Sequence, residues 1–345
     1  MAVKSLAIKY RPQTFDDVTE QGEIKTILQN QLRTGEVKNA YLFCGGAGTG
    51  KTTCARIFAK DINRGQGNPI ELDAASNNSV EDIRDIISRA KTASIDSEYK
   101  VFILDEVHML SNSAWNAMLK LLEEPPVKSI FIMCTTDPQK IPKTILSRVQ
   151  RYDFQRISQQ GIVDRLCYIL TCEVKNEPSL SAGPGALEYI AKLASGGMRD
   201  AITMVDKCIA YSTELTVDSV TKALGLADYE TMFALCNSLV THDSLSTLTI
   251  IDTVHMSGRD LKQFMKQFTN FTLDLVKYLQ TKDVSFTTIP QSYKAKLDAL
   301  GSNASLGQFV DMLSMLVNLN SEIKWDTSPK ATIEATMILY MEVRE

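Results

Sequence analysis

Residues 45–52 read Gly45-Gly46-Ala47-Gly48-Thr49-Gly50-Lys51-Thr52, which satisfies the spacing G-x-x-x-x-G-K-[ST] with no position forced. The chemistry of a bound phosphate chain needs that spacing. Glycines let the backbone fold so that several N–H groups point at one anion. Lys51 adds a point charge at the β/γ-phosphates, and the Thr52 hydroxyl can take a place on Mg²⁺. Gly45, Gly48, Thr49, Gly50, Lys51, Thr52 and Thr53 are therefore the candidate phosphate contacts. The flanks agree: Ala40–Cys44 is an apolar strand and Thr52–Lys60 a helix, so the loop lies where a helix N-terminus can hold an anion. The expected ligand is a nucleoside triphosphate.

A second pair of groups belongs to the same chemistry. Val101-Phe102-Ile103-Leu104 is an apolar strand that ends in Asp105 and Glu106. Asp105 is expected to hold Mg²⁺ and Glu106 to polarise the attacking water. The spacing predicts that this strand lies beside the one that enters the phosphate loop. Thr135-Thr136-Asp137 closes the next apolar strand, where the Thr136 hydroxyl can orient water against the γ-phosphate. Arg148 follows a short helical stretch bounded by Pro142. Arg199 falls in the first turn of a helix whose apolar face is Ala201, Ile202, Val205 and Ile209. A cation there opposes the helix dipole at a cost of about 0.3–1 kcal/mol, an objection that a phosphate would remove. His108 follows the acidic pair in the manner of a DExH box, but the second half offers no second phosphate-binding core, so it is read as a packing or hydrogen-bonding residue.

These groups need a scaffold, and the pattern supplies one. Short apolar strands alternate with helical periods through the first half: Ile70–Asp73, Lys100–Leu104, Ser129–Cys134 and Arg151–Phe154 are strands, and Ser79–Ala90 and Ala114–Glu124 are amphipathic helices. Pro125-Pro126 stops the second helix. Beyond residue 157 the strand signals fade. Gly161–Cys172, Gly185–Ala194, Asp200–Tyr211, Asp260–Leu279, Leu306–Ile323 and Ala331–Val343 read as helices. The fold class expected is an α/β domain with a parallel sheet over 1–157, a small helical domain over 158–222 and an all-α domain over 223–345.

The 345 residues carry a net charge of −4, with 44% hydrophobic and 23% charged residues, as in an ordinary water-soluble chain without a global basic field. No apolar run reaches the length of a membrane span. The seven cysteines are scattered singly and never form C-x-x-C, which favours reduced thiols in a cytoplasm over disulfides or a zinc site.

The phrases Lys9-Tyr10-Arg11-Pro12-Gln13-Thr14-Phe15-Asp16-Asp17-Val18, Asp73-Ala74-Ala75-Ser76, Asp105-Glu106-Val107-His108-Met109-Leu110, Leu121-Leu122-Glu123-Glu124-Pro125-Pro126, Thr135-Thr136-Asp137-Pro138 and Ile145-Leu146-Ser147-Arg148 resemble the AAA+ clamp-loader ATPases of bacterial DNA polymerase III, the gamma/tau kind. Gly197-Met198-Arg199-Asp200-Ala201 extends the resemblance into the second domain, and the last third is similar in helical character. The resemblance implies an ATP-driven motor subunit that loads a sliding clamp onto primer–template DNA, working with other loader subunits in a bacterial or phage-infected cytoplasm. It implies that Arg148 is an arginine finger for a neighbour's ATP, Thr136 sensor 1 and Arg199 sensor 2. Tyr10, Pro12 and Val18 would pack on adenine, and the last domain would be the collar that joins subunits.

Three departures stand out. Relatives insert a four-cysteine zinc module after the phosphate-loop helix, whereas Asp61–Ile70 is a short connector without cysteine, so ATP and Mg²⁺ are expected but no zinc. The finger motif reads Ser147-Arg148-Val149 in place of Ser-Arg-Cys. After Asp73-Ala74-Ala75-Ser76 the chain has Asn77-Asn78-Ser79 where relatives are basic, leaving Asn77, Asn78 and Arg84 as the candidate DNA contacts. The chain ends soon after the collar, as a gamma-like, shortened or phage-encoded form would. Two other readings stay open at this point: a non-hydrolysing scaffold subunit, and another AAA+ machine such as a helicase loader or a branch-migration motor.

Overall fold

The computed structural model describes residues 5–92, 96–175, 177–226 and 229–342. The chain divides into two compact units, one formed by Met1–Lys175 with Ala194–Asp206 and the other by Asn176–Leu193 with Lys207–Glu345.

The first unit is built on a parallel sheet. Its elements run α1 (Leu6–Lys9), α2 (Gly22–Thr34), β1 (Ala40–Cys44), α3 (Lys51–Ile62), β2 (Ile70–Asp73), α4 (Val80–Ala90), β3 (Lys100–Asp105), α5 (Asn112–Glu123), β4 (Ser129–Thr135), α6 (Lys143–Leu146), β5 (Gln150–Asp153) and α7 (Gln159–Glu173). The strands lie in the order β2-β3-β4-β1-β5, and all pairs are parallel. Every residue of β1 and β4 is buried, as the unbroken apolar runs require of strands covered on both faces. One face packs Phe102 on Phe131, rings stacked at 5.1 Å, with Ile83, Ile86, Trp115 and Met118 of α4 and α5. The other buries Tyr41 and Phe43 with Leu28 of α2 and Phe58 of α3.

Local signals fix where the helices begin. Ser79 and Asp82 form a reciprocal capping box at α4, and the Ser111 hydroxyl accepts the Ala114 N–H at α5.

The strand order corrects one expectation. The strand that carries Asp105 and Glu106 is not beside the phosphate-loop strand, because β4 is inserted between them and pairs with both. A parallel crossover needs only a covering helix, so the sequence order of β1, β3 and β4 does not dictate their spatial order.

The helix α9 (Met198–Tyr211) begins in the first unit, preceded in the chain by β6 (Ser181–Ala182) and α8 (Ala186–Leu193) of the second. The second unit continues with β7 (Glu214–Leu215), α10 (Val217–Ala223), α11 (Tyr229–Val240), α12 (Ser244–Met256), α13 (Leu261–Thr281), α14 (Lys294–Asn303), α15 (Leu306–Glu322) and α16 (Pro329–Glu342). Its core is gathered by Phe264, Phe268, Phe309, Leu316 and Met337. The pair β6–β7 is a two-residue parallel ladder in a region expected to lack strands, too short to leave a pattern in the sequence. The expected end of the last helix at Val343 lies outside the described residues. Among the described residues, no helix is long and apolar enough to cross a membrane.

Candidate active site

The loop after β1 is shaped by its glycines. Gly45 donates its N–H to Thr135 O at 3.2 Å and has φ +149°, and a Cβ there would stand 2.5 Å from the Phe154 carbonyl oxygen. Only glycine fits that approach. Gly48 (φ +70°) and Gly50 (φ +102°) turn the chain into α3, whose first residue is Lys51. The Lys51 ammonium donates to Gly45 O at 2.8 Å and to Gly46 O at 2.7 Å. Burial lowers its pKa, and the carboxylates of Glu106 and Asp105 oppose that shift.

The acids arrive from β3. The Thr52 hydroxyl donates to Asp105 Oδ2 at 2.8 Å, so the helix and the strand end meet through a hydroxyl and a carboxylate. Glu106 takes a left-handed conformation (φ +47°), with its N–H on Asp105 Oδ1 at 3.0 Å. Its carboxylate accepts the Thr136 N–H at 3.2 Å and the Thr136 hydroxyl at 2.8 Å. His108 Nδ1 lies 3.3 Å from the same carboxylate oxygen and 3.2 Å from Thr135 Oγ1, a hydrogen-bonding residue as the sequence suggested.

Thr52 and Asp105 place two hard oxygen atoms together, a pair that could hold Mg²⁺ completed by phosphate oxygens and water. Among the described residues, no three His, Cys, Asp or Glu side chains gather into a metal cage. A metal at this site would therefore draw its remaining ligands from phosphate and solvent.

One cavity of about 290 Å³ gathers most of the expected residues. The loop and helix start from Ala47 to Thr53 line it, with Asp105 and Glu106, with Tyr10, Pro12 and Val18, and with Arg199 on α9. Gly48 and Gly197 make the closest approach: a Cβ on Gly48 would lie 3.1 Å from Gly197 Cα, and Met198 N–H donates to Gly48 O at 3.0 Å. The first turn of α9 is thus tied to the phosphate loop through backbone. Tyr10 donates its hydroxyl to Glu173 Oε1 at 2.6 Å, and burial together with that carboxylate raises the phenol's pKa far above its usual value.

Other expected residues lie elsewhere. Gly45 stands at the base of the loop, and Thr136 stands behind Glu106. Arg148 faces a separate groove with Asn39, Ala40 and Pro125. Its guanidinium donates to Glu123 at 2.8 Å, to Thr144 O at 2.7 Å and to Ser147 Oγ at 3.1 Å. Asn77 is half-buried and donates to Asp73 O at 3.0 Å, while Asn78 and Arg84 are exposed around the start of α4.

The sequence reading missed two residues that line the cavity and one buried residue outside it. Arg165 of α7 lines the cavity and donates to Tyr10 O at 3.0 Å. Ile202 adds an apolar wall from the second turn of α9, a position the reading assigned to helix packing. Gln21 is buried and clasps the backbone of Gln155, donating to its O at 2.7 Å and accepting its N–H at 3.2 Å. No local pattern marks Gln21 or Arg165, because each finds its partner more than a hundred residues away.

Comparison with known proteins gives consistent matches along the chain. The family described as DNA polymerase III, delta subunit, matches residues 71–158. The clamp-loader ATPase lid domain of DNA polymerase III matches 161–214, and domain III of its gamma and tau subunits matches 215–344. DNA polymerase III subunit tau of Bacillus subtilis is 36% identical over 98% of this chain and 63% of that protein. Subunit gamma of Buchnera aphidicola (from Acyrthosiphon pisum) is 31% identical over 98% of each. The chain spans 55% of the Salmonella typhimurium tau subunit and 43% of the Escherichia coli one. Among solved structures, the Thermotoga maritima RuvB Holliday junction branch migration motor shares the fold at 19% identity and a TM-score of 0.51, over 67% of this chain and 79% of that one.

Proposed function

The chain belongs to the gamma/tau family of DNA polymerase III clamp-loader subunits, and on that premise we propose that it is an ATP-hydrolysing motor subunit of a sliding-clamp loader. The observation that carries the reading is the meeting of Lys51, Thr52, Asp105, Glu106 and Arg199 around one cavity, with Thr136 bonded to Glu106 behind it. A subunit that only scaffolds has no use for a carboxylate held in place to take a proton.

In this mechanism Lys51 exchanges the carbonyls of Gly45 and Gly46 for the β/γ-phosphates. Mg²⁺, held by Thr52 and Asp105, would draw off negative charge from the phosphates. Glu106 accepts a proton from water as the water oxygen bonds to the γ-phosphorus. The bond from that phosphorus to the β,γ-bridging oxygen breaks, giving ADP and phosphate. Thr136 holds the Glu106 carboxylate in place, and Arg199 adds positive charge at the phosphates. Tyr10, Pro12 and Val18 form the wall for adenine. Arg148, outside this cavity, serves the ATP of an adjoining subunit.

The same reading divides the chain into an ATPase domain (1–157), a lid (158–222) and a collar that joins subunits (223–345). The lid and domain III matches, at 161–214 and 215–344, support a lid followed by a collar. Asn77, Asn78 and Arg84 are the proposed DNA contacts, and the proposed setting is a bacterial cytoplasm, with other loader subunits, a sliding clamp and primer–template DNA as partners.

The test is to combine the protein with candidate clamp and loader subunits and to measure ATP hydrolysis with and without primed DNA. Stimulation that needs both clamp and primed DNA is the expected result. Hydrolysis indifferent to both would overturn the clamp-loader assignment.

A further inference from the structure

The wall expected to meet the nucleotide base is strapped to α7 and α9 by side chains that do not line the cavity as well as by one that does. Glu173, the last residue of α7, does not line the cavity, yet its Oε1 accepts from the Tyr10 hydroxyl and the Lys9 ammonium, each at 2.6 Å. The Arg165 guanidinium holds the Tyr10 carbonyl at 3.0 Å, and Asp206 of α9 accepts the Leu6 N–H at 3.2 Å. The four-residue helix α1 and Tyr10 after it are therefore fixed by α7 and α9, which also carry Arg165 and Arg199 into the cavity.

Glu173 occupies an awkward place for a carboxylate. It sits at the C-terminal end of α7, where the helix dipole disfavours negative charge. Its side chain is only 16% exposed, so it also gives up solvent. Lys9 and Tyr10 offset both costs, and Tyr10, a residue that lines the cavity, is left with its phenol oxygen pinned and the Lys9 ammonium 5.3 Å from its ring centre. A ring held in this way has already lost the freedom that base binding would otherwise take from it.

We propose that Glu173 is a positioning residue for base recognition, setting the affinity for ATP through the Tyr10 ring and leaving the phosphate contacts untouched. The proposal rests on the reading that the base lies beside Tyr10. It separates two parts of one ligand: Glu173 affects the adenosine end, Lys51 the phosphate end.

The experiment titrates the full chain with ATP and with inorganic tripolyphosphate, which has the phosphates but no base. Glu173→Ala and Tyr10→Phe should each weaken ATP binding roughly tenfold, the worth of one hydrogen bond to a charged group. Both should bind tripolyphosphate as the parent does. The double variant should be no weaker than Glu173→Ala alone, because the phenol's bond is already absent there. Glu173→Gln, whose amide oxygen still accepts the phenol proton, should recover most of the ATP affinity. Should Glu173→Ala fail to fold, Glu173→Gln and Tyr10→Phe keep the shape and carry the test. Equal weakening of ATP and tripolyphosphate would make Glu173 merely structural and overturn the proposal. Parental ATP affinity in Glu173→Ala alongside a loss in Tyr10→Ala would overturn it while sparing the base-site reading. No loss in Tyr10→Ala would overturn that reading as well.

Discussion

The Glu106 carboxylate receives both polar hydrogens that Thr136 offers, the backbone N–H at 3.2 Å and the hydroxyl at 2.8 Å. The residue expected to take the proton is thereby held by the residue expected to orient the water. Glu106→Gln should keep nucleotide affinity and lose about 10²- to 10⁴-fold in hydrolysis, as loss of a positioned base does. Thr136→Val removes the hydroxyl but keeps the N–H bond, and should cost only about tenfold. Steady-state hydrolysis beside equilibrium ATP binding checks both. Equal hydrolysis by Glu106→Gln and the parent would remove Glu106 from the reaction.

Arg148 has its nearest charged partner in its own chain, Glu123 at 2.8 Å, and stands outside the cavity. Arg148→Ala should leave ATP binding to the isolated chain intact and reduce stimulated hydrolysis in the assembly by roughly 10³- to 10⁵-fold. Lys51→Ala should lose tight ATP binding outright. Mixing the two variants in one assembly lets an intact phosphate loop on one subunit meet an intact arginine on the next. Partial recovery of hydrolysis is the expected outcome, and no recovery in properly formed assemblies argues against action in trans.

How legible these arrangements were depended on how local they are. The phosphate loop, the strand ending in Asp105 and Glu106, and the helix start at Ser79 are written in short runs, where a glycine or a capping hydroxyl has one reading, whereas the helix expected from Ala114 begins two residues earlier, at Asn112 behind the Ser111 cap. The insertion of β4 between β1 and β3 was not legible, because apolar strands of similar composition carry no label for their neighbours. Glu173, Arg165 and Gln21 were invisible for a related reason. Their partners, Tyr10 and Gln155, lie 163, 155 and 134 positions away, and only the folded chain brings them within bonding distance.

The connector from Asn63 to Pro69 holds no cysteine, and among the described residues no side chains cluster as a metal cage. Purified protein should contain much less than one zinc per chain by elemental analysis. A zinc chelator should leave its thermal unfolding unchanged. One tightly bound zinc per chain would contradict both expectations.

Cysteine chemistry should follow burial. Burial pushes the Cys44 thiol up to about 11 and the Cys54 thiol up to about 12, while Cys167 is exposed. At pH 8 a pKa of about 11 leaves about one thiol in a thousand ionised, against about one in ten for a pKa near 9. An alkylating reagent should therefore label Cys167 first, with Cys44 and Cys54 labelled only on unfolding. The raised values also have a sign for stability. The folded chain keeps protons that the unfolded chain releases, so unfolding free energy should fall as the pH rises from about 9 through about 11. Rapid labelling of Cys54 in the native protein, with mass spectrometry to locate the adduct, would contradict the buried placement.

The insertion of β4 has a consequence for the accuracy of folding itself. Successive side chains of a strand point to opposite faces, so a slip of one residue along β4 would exchange the partners of Thr135 and Thr136. Thr135 now meets His108 and Thr136 meets Glu106. The strand is buried throughout its length, so its apolar pattern offers little protection against such a slip. The side-chain bonds of Thr135 and Thr136 are specific to the observed register, in which Phe131 donates to Asn39 O at 2.8 Å and Gly45 donates to Thr135 O at 3.2 Å. The first glycine of the phosphate loop thus also joins the end of β4: a Cβ at Gly45 would stand 2.5 Å from the Phe154 carbonyl oxygen, so a larger residue there would displace the backbone that bonds Thr135, the neighbour of Thr136.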